Sequence, residues 1–321
     1  MMSDNEKLIA GEVMVEAPEK PVTAKLIEDM PMEDYHAFGN IAKHPADFVL
    51  SNSMLCKYID CPEQFRYEFL TEKQEEEKDY LNIGTAVHTL ALEPDQFESR
   101  FYVIPEGIRR DKRTEPYKKC MASAGTRIML PHKDYMNILG MAQKLSAEPY
   151  AKALFDGPGY IESSIFYNCP HTGQRLRVRP DWFRKDGKLI INLKTTHSAK
   201  PDLFFKTASE FGYDIGAAMQ LEAVERLMGP DPNRNYVLLV IEPKPPHIIS
   251  IFDTIRPMTL NNENDNSSVS YAESGLFRKN KAVYGIRDCL KLNRWPGYQE
   301  GVQPMRYPGW VMKKILNDGE A

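Results

Sequence analysis

Cysteine is scarce, with five residues in 321 (Cys56, Cys61, Cys120, Cys169 and Cys289), odd in number and scattered. That excludes a disulfide-stapled secreted scaffold. No second, suitably spaced pair follows Cys56 and Cys61, which argues against a zinc site or an iron–sulfur cluster. Long apolar runs are also missing, so no signal peptide or membrane span is expected, and the chain is predicted to be cytoplasmic and reduced. Charge of one sign does not dominate: 41 Lys+Arg face 45 Asp+Glu, a formal −4. Any contact with nucleic acid must therefore come from local patches rather than from the whole surface. No internal repeat is found. What is present is a 42% hydrophobic chain long enough to bury a large core in one domain with extensions.

Residues 1–30 are polar with little periodicity and read as a loose arm, 31–315 as the domain, and 316–321 as a tail. Ser51-Asn52-Ser53 offers N-cap chemistry for a helix carrying Met54, Leu55, Tyr58 and Ile59, and a second helix follows with Phe65, Phe69 and Leu70 inward. The charged segment 72–79 reads as an exposed loop. Residues 82–93 predict a helix bearing His88 and stopped by Pro94, and 131–154 contain an amphipathic helix. Strands are expected at 159–167, 175–181 and 188–194 as a three-strand meander, then at 236–241 and 247–252. Long helices are expected at 213–227 and 271–290, and a polar loop at 259–268.

The most informative stretch is Arg177-Val178-Arg179-Pro180-Asp181-Trp182-Phe183, followed by Lys188-Leu189-Ile190-Ile191-Asn192-Leu193-Lys194-Thr195-Thr196. Arg184-Lys185-Asp186-Gly187 supplies a turn, so residues 175–181 and 188–194 are expected to pair as a hairpin. Side chains alternate along a strand, so Asn192 and Lys194 share a face beside Asp181. A carboxylate, a second oxygen ligand and a lysine converge. Metal-dependent phosphodiester cleavage needs that set: Mg²⁺ takes hard oxygen ligands and acidifies a bound water, while an ammonium steadies negative charge. The competing reading is a cross-strand salt bridge between Asp181 and Lys194 at an ordinary hairpin.

An ordered set of residues decides between them. His88 lies on a helix, Glu162 on one strand, Asp181 on the next, and Asn192 and Lys194 on the third, before a helix starting near Tyr213. With Glu33-Asp34-Tyr35-His36, Asn82-Ile83-Gly84-Thr85-Ala86-Val87-His88, Leu92-Glu93-Pro94, Glu162-Ser163-Ser164-Ile165, Arg179-Pro180-Asp181, Leu193-Lys194-Thr195-Thr196 and Trp295-Pro296, the chain resembles the PD-(D/E)XK nuclease superfamily. More closely, it resembles the RecE (exonuclease VIII) group of phage and prophage exonucleases. The resemblance spans roughly residues 30–310. It implies an α/β, restriction-endonuclease-like core with a mixed central sheet flanked by helices, and an Mg²⁺-dependent (Mn²⁺ substituting) 5′→3′ double-strand DNA exonuclease of phage recombination.

On that resemblance Asp181 binds the metal, the Leu193 carbonyl completes its coordination, Lys194 positions or activates water, and Glu162 and His88 add outer or second-metal contacts. It also implies action on duplex DNA ends in the bacterial cytoplasm, a ring-like homo-oligomer, a RecT-type single-strand annealing partner and no membrane association. Candidate DNA contacts are the stripe Arg175, Arg177 and Arg179, the cluster Arg109, Arg110, Lys112 and Arg113, and Tyr213 and Gln220. Lys313-Lys314 is a further basic patch. Read from the residues alone, His88 is as readily a satisfied core histidine as a ligand, and Glu162 a partner for a neighbouring-strand arginine.

Three positions depart from the family pattern. Asn192 stands where an acidic metal ligand is expected; its amide oxygen can coordinate a cation but brings no negative charge. Gly216 and Gln220 stand where relatives carry a Gln-x-x-x-Tyr pair near DNA. Turnover should be strongly impaired unless Glu162 or His88 compensates. The rival expectation is a catalytically silent protein that keeps the scaffold to bind DNA ends or regulate recombination.

Overall fold

A computed structural model describes residues 24–38, 48–71, 83–259 and 268–298, with scattered positions between 301 and 316. The N-terminal part supplies β1 (Ala24–Ile27), α1 (Met32–Ala37), α2 (Asn52–Asp60), α3 (Pro62–Phe69) and α4 (Ile83–Leu92). Next come α5 (Phe97–Arg100), β2 (Phe101–Val103), α6 (Glu115–Ala124), β3 (Ile128–Leu130), α7 (His132–Ala147) and α8 (Pro149–Leu154). The central strands are β4 (Gly159–Ile161), β5 (Ser164–Asn168), β6 (Arg175–Val178), β7 (Trp182–Arg184) and β8 (Leu189–Thr195). After them run α9 (Pro201–Glu210), α10 (Tyr213–Met228), β9 (Asn235–Ile241), β10 (Ile249–Asp253), β11 (Pro257–Thr259), β12 (Ser268–Ser270) and α11 (Tyr271–Leu292).

Five strands form the main sheet in the order β10-β9-β8-β7-β4. β8 and β9 are parallel, joined by the α9–α10 crossover, and the other pairings are antiparallel, so the sheet is mixed and flanked by helices as expected. β9 is apolar on both faces because both are covered, whereas β8 carries Asn192 and Lys194 on one of them. Ile191, Leu193, Leu239 and Ile241 pack with Val87 of α4 and Met141 of α7. Ile190, Leu238 and Val240 pack with Ala217, Ala223 and Val224 of α10. Asn192 and Lys194 share the α10 face by strand alternation.

The expected hairpin and meander are corrected. β6 pairs not with β8 but with β5, in a separate three-stranded sheet β1-β5-β6, whereas β8 pairs with β7 at Trp182↔Ile191 and Phe183↔Ile190. The stretches 159–168 and 175–184 form one long antiparallel ribbon that bends out of the main sheet into the smaller one. Pro180 has no N–H to donate, which ends the ladder there. On the other arm Glu162 takes a positive φ of 45°. The Glu162 N–H still donates to the Asp181 carbonyl at 3.0 Å, so the two residues face each other across the bend.

Other boundaries shift for local reasons. Residues 24–27 of the expected arm are strand β1, paired with β5, because Leu26 and Ala24 pack on the core. The 131–154 helix is two helices, with Pro149 at the first turn of the second. α11 begins at Tyr271 through a capping box, Ser270 and Glu273 each bonding the other's backbone N–H. Ser51 is the N-cap of α2 but makes no side-chain capping bond. The rest of the predicted arm (1–23), the charged segment 72–79, Asn82, most of the 259–268 loop and Lys313-Lys314 lie outside the described residues. All five cysteines are free thiols.

Candidate metal centre

The ribbon bend brings Glu162 and Asp181 to the α4 side of β8, and α4 supplies His88 above them. The ligand atoms of His88, Glu162 and Asp181 all lie within 4.8 Å of one another, and this is the one such metal-ligating group among the described residues. The His88 Nε2–H donates to the Leu193 carbonyl at 2.8 Å. Its Nδ1 faces Glu162 Oε1 at 3.4 Å and Asp181 Oδ2 at 3.7 Å. Burial pushes the imidazole toward the neutral form, but the Asp181 and Glu162 carboxylates outweigh it and hold its pKa above the ordinary value. Glu162 moves the opposite way: burial raises it, yet His88 and Arg179 together hold it below the usual carboxylate range.

Asp181 Oδ2 accepts the Leu193 N–H at 2.6 Å and lies 3.4 Å from the Lys194 ammonium. Lys194 also donates to the Leu193 carbonyl at 3.1 Å and to Asn192 Oδ1 at 3.4 Å. The five groups placed together from sequence do meet: His88, Glu162, Asp181, Asn192 and Lys194 line one cleft of ≈ 560 Å³. The Asp181–Lys194 contact of the salt-bridge reading is present at 3.4 Å, and the same carboxylate belongs to a group that could hold a metal ion.

Asn192 is bound from α10 as well. Its Nδ2 donates to Gln220 Oε1 at 2.6 Å, and Gln220 Nε2 returns a bond to Asn192 Oδ1 at 3.3 Å. Both side chains are buried, and Gln220, expected from sequence to contact DNA, lines the cleft as the partner of Asn192. The oxygen that would face a cation already has two donors.

The three arginines of the stripe have different surroundings, and Arg177 and Arg179 line the cleft. Arg177 is 3% exposed, donates to the Val49 carbonyl at 2.8 Å and lies under the Tyr35 ring, whose centroid is 5.0 Å away, because α1 covers this face of β6. Arg179 pairs with Glu162 at 3.2 Å and bonds Ser164 and the Met30 carbonyl, so it positions a metal-site carboxylate. Arg175 lines a separate small cavity with Phe38 and Phe166. Arg109 and Arg110 border a different cavity against α7, and exposed Arg113 is paired with Asp111 at 2.8 Å. Exposed Lys112 lies between them and does not line the cleft. Tyr213 does line the cleft.

The cleft also holds residues read from sequence only as helix signals. Ser51, Asn52 and Ser53 line it at the start of α2, whose N-terminus points partial positive charge toward an anion such as a phosphate. Serine and asparagine before an apolar run read equally as a cap and as a ligand-facing end, so no local signal separates the two.

The donor set fits a divalent ion. Ligands around one Mg²⁺ or Mn²⁺ sit ~2.0–2.2 Å from it and hence up to ~4.4 Å from one another, close to the spacing of this cluster. Asp181, Glu162 and His88 would hold such an ion, with the Leu193 carbonyl 2.8 Å from the imidazole completing the site. No helix among the described residues is long and apolar enough to cross a membrane.

Comparison with known proteins agrees with this architecture. The crystal structure of a Eubacterium rectale protein described as a candidate exonuclease superposes with a TM-score of 0.56 at 13% identity, over 89% of this chain and 98% of that one, which shows a shared fold. A second solved structure, SSO0001, aligns over 72% of this chain and 84% of its own at 14% identity, with a TM-score of 0.26 that carries no argument. No curated protein matches the chain. The family model described as a PDDEXK-like domain of unknown function (DUF3799) matches residues 51–307, and the chain belongs to that family.

Proposed function

We propose that the chain is a divalent-metal-dependent exonuclease acting on the ends of double-stranded DNA, of the RecE type and 5′→3′ polarity, with turnover held low by Asn192. One observation carries this: His88, Glu162, Asp181, the Leu193 carbonyl and Lys194 converge in a single cleft. A bound Mg²⁺ or Mn²⁺ would supply phosphate polarisation and an acidified water. The chain's own residues do the rest. Lys194, within 3.4 Å of both Asp181 and Asn192, offers its ammonium to developing negative charge. Arg179 fixes Glu162, and the α2 N-terminus with Ser51 and Ser53 offers donors to the phosphate. A ring-like homo-oligomer working in the bacterial cytoplasm beside a RecT-type annealing protein follows from the same resemblance.

A second reading is favoured by the mutual amide bonds of Asn192 and Gln220, which complete each other without a metal: a silent protein that binds DNA ends. Digestion of end-labelled linear duplex in Mg²⁺ and in Mn²⁺ separates the two. Weak release of nucleotides by the chain, a clear gain for Asn192→Asp and none for Lys194→Ala are expected. Absence of product from both the chain and its Asn192→Asp variant would leave the silent reading standing.

A further inference from the structure

Tyr213 lines the cleft beside Lys194, and an exposed ring, Phe211, stacks on it. The Lys194 Nζ lies 5.8 Å from the centroid of the Tyr213 ring, and the Phe211 ring stacks beside Tyr213 with centroids 6.0 Å apart and planes inclined by 20°. The backbone builds this pair. Gly212 between them takes φ +62°, and a Cβ there would lie 2.3 Å from Cys56 Sγ, so only glycine sets the two rings side by side against α2. Tyr213 is anchored from below by Phe204, 6.2 Å away, which in turn stacks on Phe252 at 5.0 Å. Phe211 itself is 62% exposed.

We infer that Phe211, backed by Tyr213, is a stacking shelf for a nucleobase of single-stranded DNA at the end that enters the cleft. The inference rests on the DNA-end reading above and adds to it a preference for frayed or tailed ends. The cationic and metal-ligating groups sit together on the cleft floor, which suits the backbone of one strand. A duplex end must part to deliver one strand, and parting strips bases of their stacking partners. An exposed ring stacked on the cleft-lining Tyr213 replaces that partner whatever the sequence, because every base has a π-face. The ammonium against Tyr213 adds attraction for the same aromatic surface and for the phosphate that accompanies each base.

The test uses the full chain in EDTA, so that no strand is cut, and reads fluorescence anisotropy of three labelled DNAs: a blunt duplex, the same duplex with an unpaired tail, and the single strand. Tighter binding of the tailed and single-stranded forms is expected, weakened about ten-fold by Phe211→Ala, with blunt-duplex binding changed by less than about two-fold. Phe211→Trp should keep the preference, and its emission should fall as tailed DNA is added. Unchanged tail binding by Phe211→Ala, or equal weakening on all three DNAs, overturns the shelf alone. Gel filtration showing that Phe211→Ala only breaks up an oligomer, with DNA binding intact, also overturns it by assigning the ring to a protein contact. If the unaltered chain binds none of the three DNAs, the DNA-end reading falls and the shelf with it.

Discussion

Asp181 and Asn192 both lie 3.4 Å from the Lys194 ammonium but have different surroundings. The Asp181 carboxylate is held by a charge-assisted bond from the Leu193 N–H and by Lys194, which suits an anion that faces a cation. Asn192 needs a donor and an acceptor together, and Gln220 is a side chain that supplies both from α10. Removing either amide leaves the other buried without its partner. Asn192→Ala and Gln220→Ala should each cost about 1–3 kcal/mol in urea unfolding, and the double variant clearly less than their sum. Additive costs would show that the two are not a coupled pair. The same geometry qualifies the gain expected of Asn192→Asp, since the 2.6 Å bond becomes a contact between two oxygens until the Gln220 amide turns over. The sequence shows that position 192 is neutral. It does not show that position 220 answers it, because the two are 28 residues apart and meet only when α10 lies on β8.

Elements place the site through two close approaches. The ribbon bend at Glu162 and Pro180-Asp181 turns what reads as continuous alternation into strands of two sheets, and it is the bend that points both carboxylates at His88. On the other face α11 crosses the start of α10 so closely that a Cβ on Gly275 would lie 1.9 Å from the Asp214 carbonyl oxygen. Backbone cannot move aside as a side-chain tip can. Gly275→Ala should therefore destabilise by about 3 kcal/mol or more in chemical denaturation, and should weaken DNA-end binding through the Tyr213 end of α10. Further along the same helix pair, fully buried Lys279 donates to both carboxylate oxygens of Glu222 at 2.8 and 3.0 Å. Lys279→Met should cost about 3–5 kcal/mol by stranding a buried charge, and adding Glu222→Leu should recover most of it. A double variant no more stable than the single one would show that the pair does more than neutralise itself.

At the scale of the whole molecule, metal binding would be coupled to folding, because His88 comes from α4, Leu193 from β8, and Glu162 and Asp181 from the ribbon bend, and they are brought together only in the folded state. An ion at one hundred times its Kd should stabilise the fold by about 2.7 kcal/mol, a rise in Tm of about 5 °C for a chain of this size. Mn²⁺ should raise it more than Mg²⁺, since an imidazole nitrogen is among the donors. Asp181→Ala should flatten the response, measured by differential scanning fluorimetry, and an undiminished shift in that variant would place the ion elsewhere. Periodicity and turn chemistry were enough to mark α4, α10, α11, β8 and β9, and the order of His88, Glu162, Asp181 and Lys194 was enough to propose a metal site, since these depend on spacings along the chain. Burial of Arg177 beneath Tyr35, the commitment of Arg179 to Glu162, the Asn192–Gln220 pair and the exchange of strand partners at Pro180 were decided only by tertiary structure. Each depends on which distant segment covers a given face, and a local pattern of residue types is the same whether that face meets water, a helix or DNA.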